Sequence, residues 1–100
     1  MSRAKVIDER AMNALGYSLV GEHRFDEAMG VLRLVAYVFP DSANAEDSLG
    51  DAYLAGGQSE KARAAYQKAL ALASNDPRFD FETRKSFARD ERTKIEQLKP

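Results

Sequence analysis

Apolar residues recur every three or four positions along most of the chain, a spacing typical of amphipathic α-helices. Four such stripes come before Pro77, and residues that turn or end helices separate them, namely Gly21, Pro40, Gly56 and Gly57. Because the connections between stripes are short, neighbouring helices should run antiparallel. The apolar stretch 31–39, "VLRLVAYVF", fits a buried strand by composition, but the helical spacing on both sides and the lack of a partner strand favour a helix.

The segment after Pro77 has fewer apolar residues and many charges of both signs. Its composition predicts one helix over about residues 80–98, packed along its first half and solvated along its second. Asp90 and Lys94 have the spacing of an ion pair one helical turn apart, with Glu91 close to Lys94. Interleaved charges of this kind favour a solvated face over a nucleic-acid-binding arm, which would be mainly basic.

A shift of thirty-four residues superimposes much of the second half of this pattern on the first. "NALGYSL" at 13–19 falls on "DSLGDAY" at 47–53, so that Gly16 meets Gly50, and Ala28 falls on Ala62 further along. A phosphate-binding loop needs several glycines at a strand-to-helix turn. A single glycine beside a leucine in a helical stripe instead indicates two helices in close contact. A unit of this length with two helices is the signature of a helical-hairpin repeat.

These residues resemble the tetratricopeptide repeat. The positions that carry the resemblance are Leu15, Gly16, Leu19, Ala28, Leu32, Val35 and Pro40 in the first unit, and Leu49, Gly50, Tyr53, Gly57, Ala62, Tyr66 and Ala69 in the second. The resemblance implies an all-α, antiparallel helical-hairpin array with repeats at 9–42 and 43–76, an N-terminal helix extension at 1–8 and a C-terminal capping helix at 77–100. It also implies a non-catalytic module that binds a protein or peptide partner.

A second resemblance concerns the stretch "FPDSANAEDSLGDAY", at residues 39–53. It is similar to the paired repeats at the C-terminal end of some bacterial serine hydrolases of the beta-lactamase-like and esterase kinds. The alternative function it implies is a structural or regulatory appendage of such a hydrolase, with the catalytic domain outside these residues. The chain itself contains no G-x-S-x-G nucleophile motif.

Composition narrows the classes of function further. The 100 residues are 44% apolar and 31% charged, with 15 basic and 16 acidic side chains and a net charge of −1. This balance gives no electrostatic case for nucleic acid, and no apolar run is long enough to predict a membrane span. Without cysteine there is no disulfide, thiol nucleophile or thiolate zinc site, and His23 is the single histidine. We therefore expect a cytoplasmic, non-enzymatic protein that uses no cofactor or metal.

In arrays of this kind the first helix of each unit lines a concave groove, which places one set of polar side chains together. The groove residues expected here are Arg10, Asn13, Tyr17, Asn44, Asp47, Ser48 and Asp51. Asp47 and Asp51 stand one helical turn apart and would suit a peptide that carries lysine or arginine. The competing interpretation is an ordinary solvated helix face.

The helix expected at 26–39 carries apolar residues that its buried stripe does not use. Leu34 and Tyr37 point away from that stripe, and Met29 lies toward its edge. A cluster of outward apolar side chains on a small domain often marks an interface. The patch predicts self-association into a homo-oligomer or docking onto a parent catalytic domain.

Overall fold

The computed structural model describes residues 8–98 of the chain. They form five α-helices: α1 (Glu9–Gly21), α2 (Phe25–Val38), α3 (Ala43–Ala55), α4 (Ser59–Ala73) and α5 (Phe81–Gln97). Each helix packs against the next one, and α1 also packs against α3, which gives a flat array of 49 × 35 × 17 Å. The predicted all-α helical-hairpin array is confirmed, and the stretch 31–39 is helical up to Val38. None of the helices in this part of the chain has the length and apolarity needed to cross a membrane.

The first helix of each hairpin, and α5 after them, begins at a capping side chain. Asp8, Ser42 and Asp80 accept hydrogen bonds from backbone amides in the first turns of α1, α3 and α5. Such caps satisfy amides that have no partner within the helix. The helix extension predicted for 1–8 lies outside the described residues except for Asp8, which is the N-cap of α1 rather than a helical residue.

The two hairpins turn in the same way. His23 and Gly57 stand thirty-four positions apart in the two units and have positive φ angles of 62° and 81°. The residue after each donates its backbone amide to the carbonyl oxygen five residues earlier, Arg24 to Leu19 at 2.9 Å and Gln58 to Tyr53 at 2.8 Å. His23 therefore occupies a turn position that favours glycine.

The repeated glycines lie where the helices of a hairpin touch. A Cβ atom added to Gly16 would lie 2.5 Å from the Leu32 side chain, and one added to Gly50 would lie 2.5 Å from the Tyr66 ring. Leu32 and Tyr66 are 0% and 1% exposed. The packing interpretation of the two glycines is therefore confirmed, and the large residue of the second helix fills the space that each glycine leaves.

Two features of the packing differ from the predicted pattern. Leu15 is 44% exposed although its counterpart Leu49 is buried, because α3 lies inside the array whereas α1 lies at its end. The prediction of a solvated second half for α5 is wrong. Ile95 and Leu98 pack against the core, and the Leu98 carbonyl accepts a hydrogen bond from Arg63 at 2.8 Å.

A buried carboxylate fixes the connection between α4 and α5. Asp76 is fully buried and accepts hydrogen bonds from the amide of Ala43, in the first turn of α3, and from the amide and guanidinium of Arg78. Burial alone would raise the pKa of Asp76, but these hydrogen bonds outweigh it and hold the pKa below its usual value. The Arg78 guanidinium also forms ion pairs with Glu9 and Asp41, so the connection is tied to the starts of α1 and α3.

Gly50→Ala tests the close helix contact. The added methyl group meets the Tyr66 ring, which its hydrogen bond to Asp51 keeps from moving aside. We expect the free energy of unfolding in urea to fall by about 1–3 kcal/mol, the usual range for an overpacked core. The control is Gly30→Ala in α2, where no neighbouring atom lies within 4 Å of the added Cβ. It should gain up to about 1 kcal/mol from helix propensity. Equal gains in the two variants would contradict the contact.

Candidate functional site

The Asp51 carboxylate on α3 lies at the centre of a polar cluster that joins four helices. Its Oδ2 atom accepts a hydrogen bond from the Tyr17 hydroxyl on α1 at 2.5 Å, and its Oδ1 atom accepts one from the Tyr66 hydroxyl on α4 at 2.6 Å. Burial and the nearby Asp51 carboxylate raise the pKa of both tyrosines above the usual value. Both phenols therefore stay protonated near neutral pH and act as donors.

Lys94 on α5 completes the charge of this cluster. Its ammonium group lies 2.7 Å from Asp47 Oδ1 and 3.3 Å from Asp51 Oδ1, and it stands 5.1 Å from the centroid of the Tyr66 ring. Burial would lower the pKa of Lys94, but the two aspartates outweigh it and raise the pKa above its usual value. The Lys94 side chain is 34% exposed, so solvent reaches the site where the two carboxylates hold the ammonium group.

Glu91 lies one turn before Lys94 and is only 1% exposed. Its Oε1 atom is buried and has no hydrogen-bond partner within residues 8–98. Burial, a hydrogen bond to Asp47 and the negative charge of Asp47 raise the pKa of Glu91 to about 9, although Lys94, at 4.0 Å, acts in the opposite direction. A protonated Glu91 can donate to Asp47, whereas an ionised one would place a third negative charge in the cluster.

The structure brings together only part of the predicted groove. Tyr17, Asp47 and Asp51 meet as described, whereas Ser48 is 2% exposed and lies beneath Tyr17. Asn13 is half-buried, and its Oδ1 atom is buried without a hydrogen-bond partner in the described part of the chain. The remaining two members, Arg10 and Asn44, are exposed.

Sequence reasoning missed the three residues that complete the cluster: Tyr66, Glu91 and Lys94. Lys94 contacts Asp47 and Asp51 rather than the expected Asp90, whose carboxylate lies 4.0 Å from Arg89. One signal was available. Glu91 stands eleven residues after the N-cap Asp80, the spacing that places Leu19 and Tyr53 in the core of their helices.

Two of the three residues predicted for the outward apolar patch on α2 are exposed, and the third is buried. Leu34 is 43% exposed, Tyr37 is 83% exposed and Val38, which follows them on the same side, is 38% exposed. Met29 does not belong to the patch because it is 3% exposed, with its methyl group against Gly56 and its sulfur near the Gln58 amide. We refer to Leu34, Tyr37 and Val38 as the α2 patch.

Two further observations concern the histidine and the acidic side chains of the described residues. His23 is exposed, and its ring lies 5.4 Å from that of Phe25. Among residues 8–98, no group of three or more histidine, aspartate or glutamate side chains is placed to hold a metal ion. The polar cluster can bind an ammonium group between two carboxylates and beside an aromatic ring.

Glu91→Gln tests the protonation of the buried carboxyl group through stability. Because the pKa of Glu91 is higher in the folded chain than the ordinary 4.5, the folded state binds the extra proton between about pH 4.5 and pH 9. The wild type should therefore lose stability relative to Glu91→Gln as the pH rises through this window, by up to about 1.4 kcal/mol per pH unit. Urea denaturation at pH 5, 7 and 9 measures the difference. Parallel pH profiles would show that the proton is absent.

Comparison with known proteins agrees with this architecture. A family model described as "Tetratricopeptide repeat-like domain" matches residues 11–82, more than half of the chain. No curated protein matches the chain. Tetratricopeptide-like domains generally mediate protein interactions, and their all-helical fold is typically non-catalytic. With its two capped hairpins, its paired glycines and this match, the chain belongs to the tetratricopeptide repeat-like family.

Proposed function

We propose that this chain is a non-catalytic protein-interaction module that binds a lysine-containing segment of a partner between α1, α3 and α5. The observation that carries the proposal is the position of Lys94, whose ammonium group lies between Asp47 and Asp51 and against the Tyr66 ring. A cation on a flexible side chain is thus already bound in this groove. The chain's own lysine occupies the place that a partner's lysine would take.

The composition of the groove supports a basic partner rather than an acidic one. Asp47 and Asp51 place two carboxylates against one ammonium group, which leaves one negative charge in excess. Tyr17 adds a ring that is 42% exposed beside them. An aromatic side chain next to paired carboxylates provides both the electrostatic and the cation–π attraction that an ammonium group needs.

Lys94 acts as an internal competitor in this proposal. While it fills the acidic pair, a partner's lysine binds only to the fraction of molecules in which Lys94 has moved out, which weakens the apparent affinity. Arg10 on α1 and Asn44 on α3 are exposed and are available for the flanking parts of the partner. Removal of the Lys94 ammonium group should therefore strengthen partner binding.

Lys94→Met tests this competition directly. We expect it to bind a fluorescein-labelled peptide of alternating lysine and alanine about tenfold more tightly than the wild type, because the internal competitor is gone. Fluorescence anisotropy measures the binding. Circular dichroism on each variant establishes that the helices remain formed.

The matched control is Lys94→Met combined with Asp47→Asn and Asp51→Asn, which removes the carboxylates as well as the competitor. It should lose the gain, and a peptide with glutamate in place of lysine should bind Lys94→Met no more tightly than it binds the wild type. If Lys94→Met and the triple variant bind the lysine peptide equally, the acidic pair serves only to hold α5.

The α2 patch supports a second function, self-association. Leu34, Tyr37 and Val38 lie on one side of α2 and expose apolar surface to solvent, with Tyr37 83% exposed. Apolar side chains three and four positions apart on a helix are suited to packing against the same helix of a second copy.

Leu34→Glu combined with Tyr37→Glu tests the patch. We expect the wild type to sediment as a dimer and the double variant as a monomer with unchanged helicity, because two charges would then be buried at the interface. Analytical ultracentrifugation gives both masses. A monomeric wild type would refute self-association and leave the patch for docking onto another domain, as the serine-hydrolase resemblance implies.

A further inference from the structure

A groove between α4 and α5 lies outside the polar cluster and is independent of the function proposed above. It encloses about 680 Å³. Its floor is apolar and is formed by Leu70, Ala73, Phe81 and Ala88. Phe81 is 67% exposed, although phenylalanine is among the residues that are most often buried.

No acidic residue lines the groove. Four cationic side chains surround its floor, namely Arg84, Lys85, Arg89 and Arg92. Lys85 stands 5.4 Å from the centroid of the Phe81 ring. The Nε atom of Arg84 is buried and has no hydrogen-bond partner among the described residues, although the guanidinium donates to the Asp76 carbonyl. Arg89 lies 4.0 Å from Asp90, which is not part of the lining. The groove therefore combines an apolar floor with a lining that holds four cations and no carboxylate.

The register of α5 shows what kind of element such a groove holds. Gly16, Gly50 and Ala88 each stand eight residues after the N-cap of their helix, which is Asp8, Ser42 and Asp80 respectively. In α1 and α3 this small residue is the place where the following helix of the hairpin packs. Leu32 of α2 covers Gly16, and Tyr66 of α4 covers Gly50.

Ala88 is the equivalent small residue of α5, but within residues 8–98 no helix follows α5 to cover it. Instead, Ala88 lies in the floor of the open groove. Within the described residues, α5 thus repeats the first helix of a hairpin, and the place of the second helix is open.

We propose that the α4–α5 groove binds an amphipathic helix of a partner protein, with a large apolar side chain over Ala88 and acidic side chains facing Arg84, Lys85, Arg89 and Arg92. The small residue fixes the occupant as a helix, because the same position in α1 and α3 contacts a helix. The four cations select an acidic one by charge complementarity. A flat lipid surface fits this concave site less well than a helix that lies between α4 and α5.

The test uses the full chain and a fluorescein-labelled peptide of about 18 residues, long enough for five helical turns. The peptide carries leucine along one face and glutamate on both sides of that face. Fluorescence anisotropy should show saturable binding that weakens as salt is raised, because exposed charges provide much of the attraction. A peptide with lysine in place of glutamate should not bind in this groove, so any binding that it shows at the acidic cluster of Asp47 and Asp51 should not weaken in Ala88→Leu.

Two variants and two controls locate the binding. Arg89→Glu combined with Arg92→Glu should weaken binding by about tenfold or more through charge repulsion. Ala88→Leu should weaken it by a similar factor of about ten, because the added side chain fills the place of the partner's apolar residue. Lys61→Glu and Ala64→Leu, both at exposed positions of α4 outside the groove, should stay within about twofold of the wild type.

Three results would overturn the proposal: no saturable binding of the acidic peptide, binding of the lysine peptide that Ala88→Leu weakens to the same extent, or equal weakening by the variants and the controls. Vesicles of phosphatidylglycerol provide the remaining comparison. Co-sedimentation with them that Arg89→Glu and Arg92→Glu abolish, without peptide binding, would assign the groove to anionic lipid instead.

Discussion

The hydrogen bonds and the ion pair of the Asp51 carboxylate hold the array together across its width. The two carboxylate oxygens, on α3, accept hydrogen bonds from Tyr17 of α1, Tyr66 of α4 and Lys94 of α5. The contact with Tyr66 depends on Gly50, because only a residue without a side chain lets that ring lie against α3. The packing of the hairpin and the electrostatics of the groove therefore depend on two adjacent residues, Gly50 and Asp51.

This arrangement alters the charge that the acidic pair, Asp47 and Asp51, presents to solvent. An open groove with Asp47 and Asp51 would attract cations from solution, whereas here Lys94 neutralises the pair from within the chain. The neutralisation is incomplete because one ammonium group faces two carboxylates, and the raised pKa of the buried Glu91 disfavours a third negative charge beside them. Under the proposed function, a partner's lysine would have to displace Lys94, which links partner binding to the packing of α5. The α4–α5 groove carries its cations apart from this cluster, and Lys85, Arg89 and Arg92 are exposed there.

Much of the fold was readable from the sequence because it depends on local spacing. The hairpins, the glycine contacts and the placement of Tyr17, Asp47 and Asp51 on one face all follow from helical periodicity and the shift of thirty-four residues. Lys94 was not assigned correctly, because its partners lie 43 and 47 residues earlier and depend on how α5 is rotated against α3. Met29 was expected at the edge of the outward patch, but the turn at Gly56 covers it. This is a contact between two hairpins, and the pattern of a single helix does not reveal it.

The Asp51 carboxylate holds α5 against the first helices of the array. Amide hydrogen exchange of Asp51→Asn tests this most directly, with Asp26→Asn at an exposed position of α2 as the control. Loss of the charge should accelerate exchange in the second half of α5 and around Tyr17 in α1 together, because both are bound to the same carboxylate. Acceleration confined to α3, or an exchange pattern equal to that of the control, would contradict the claim.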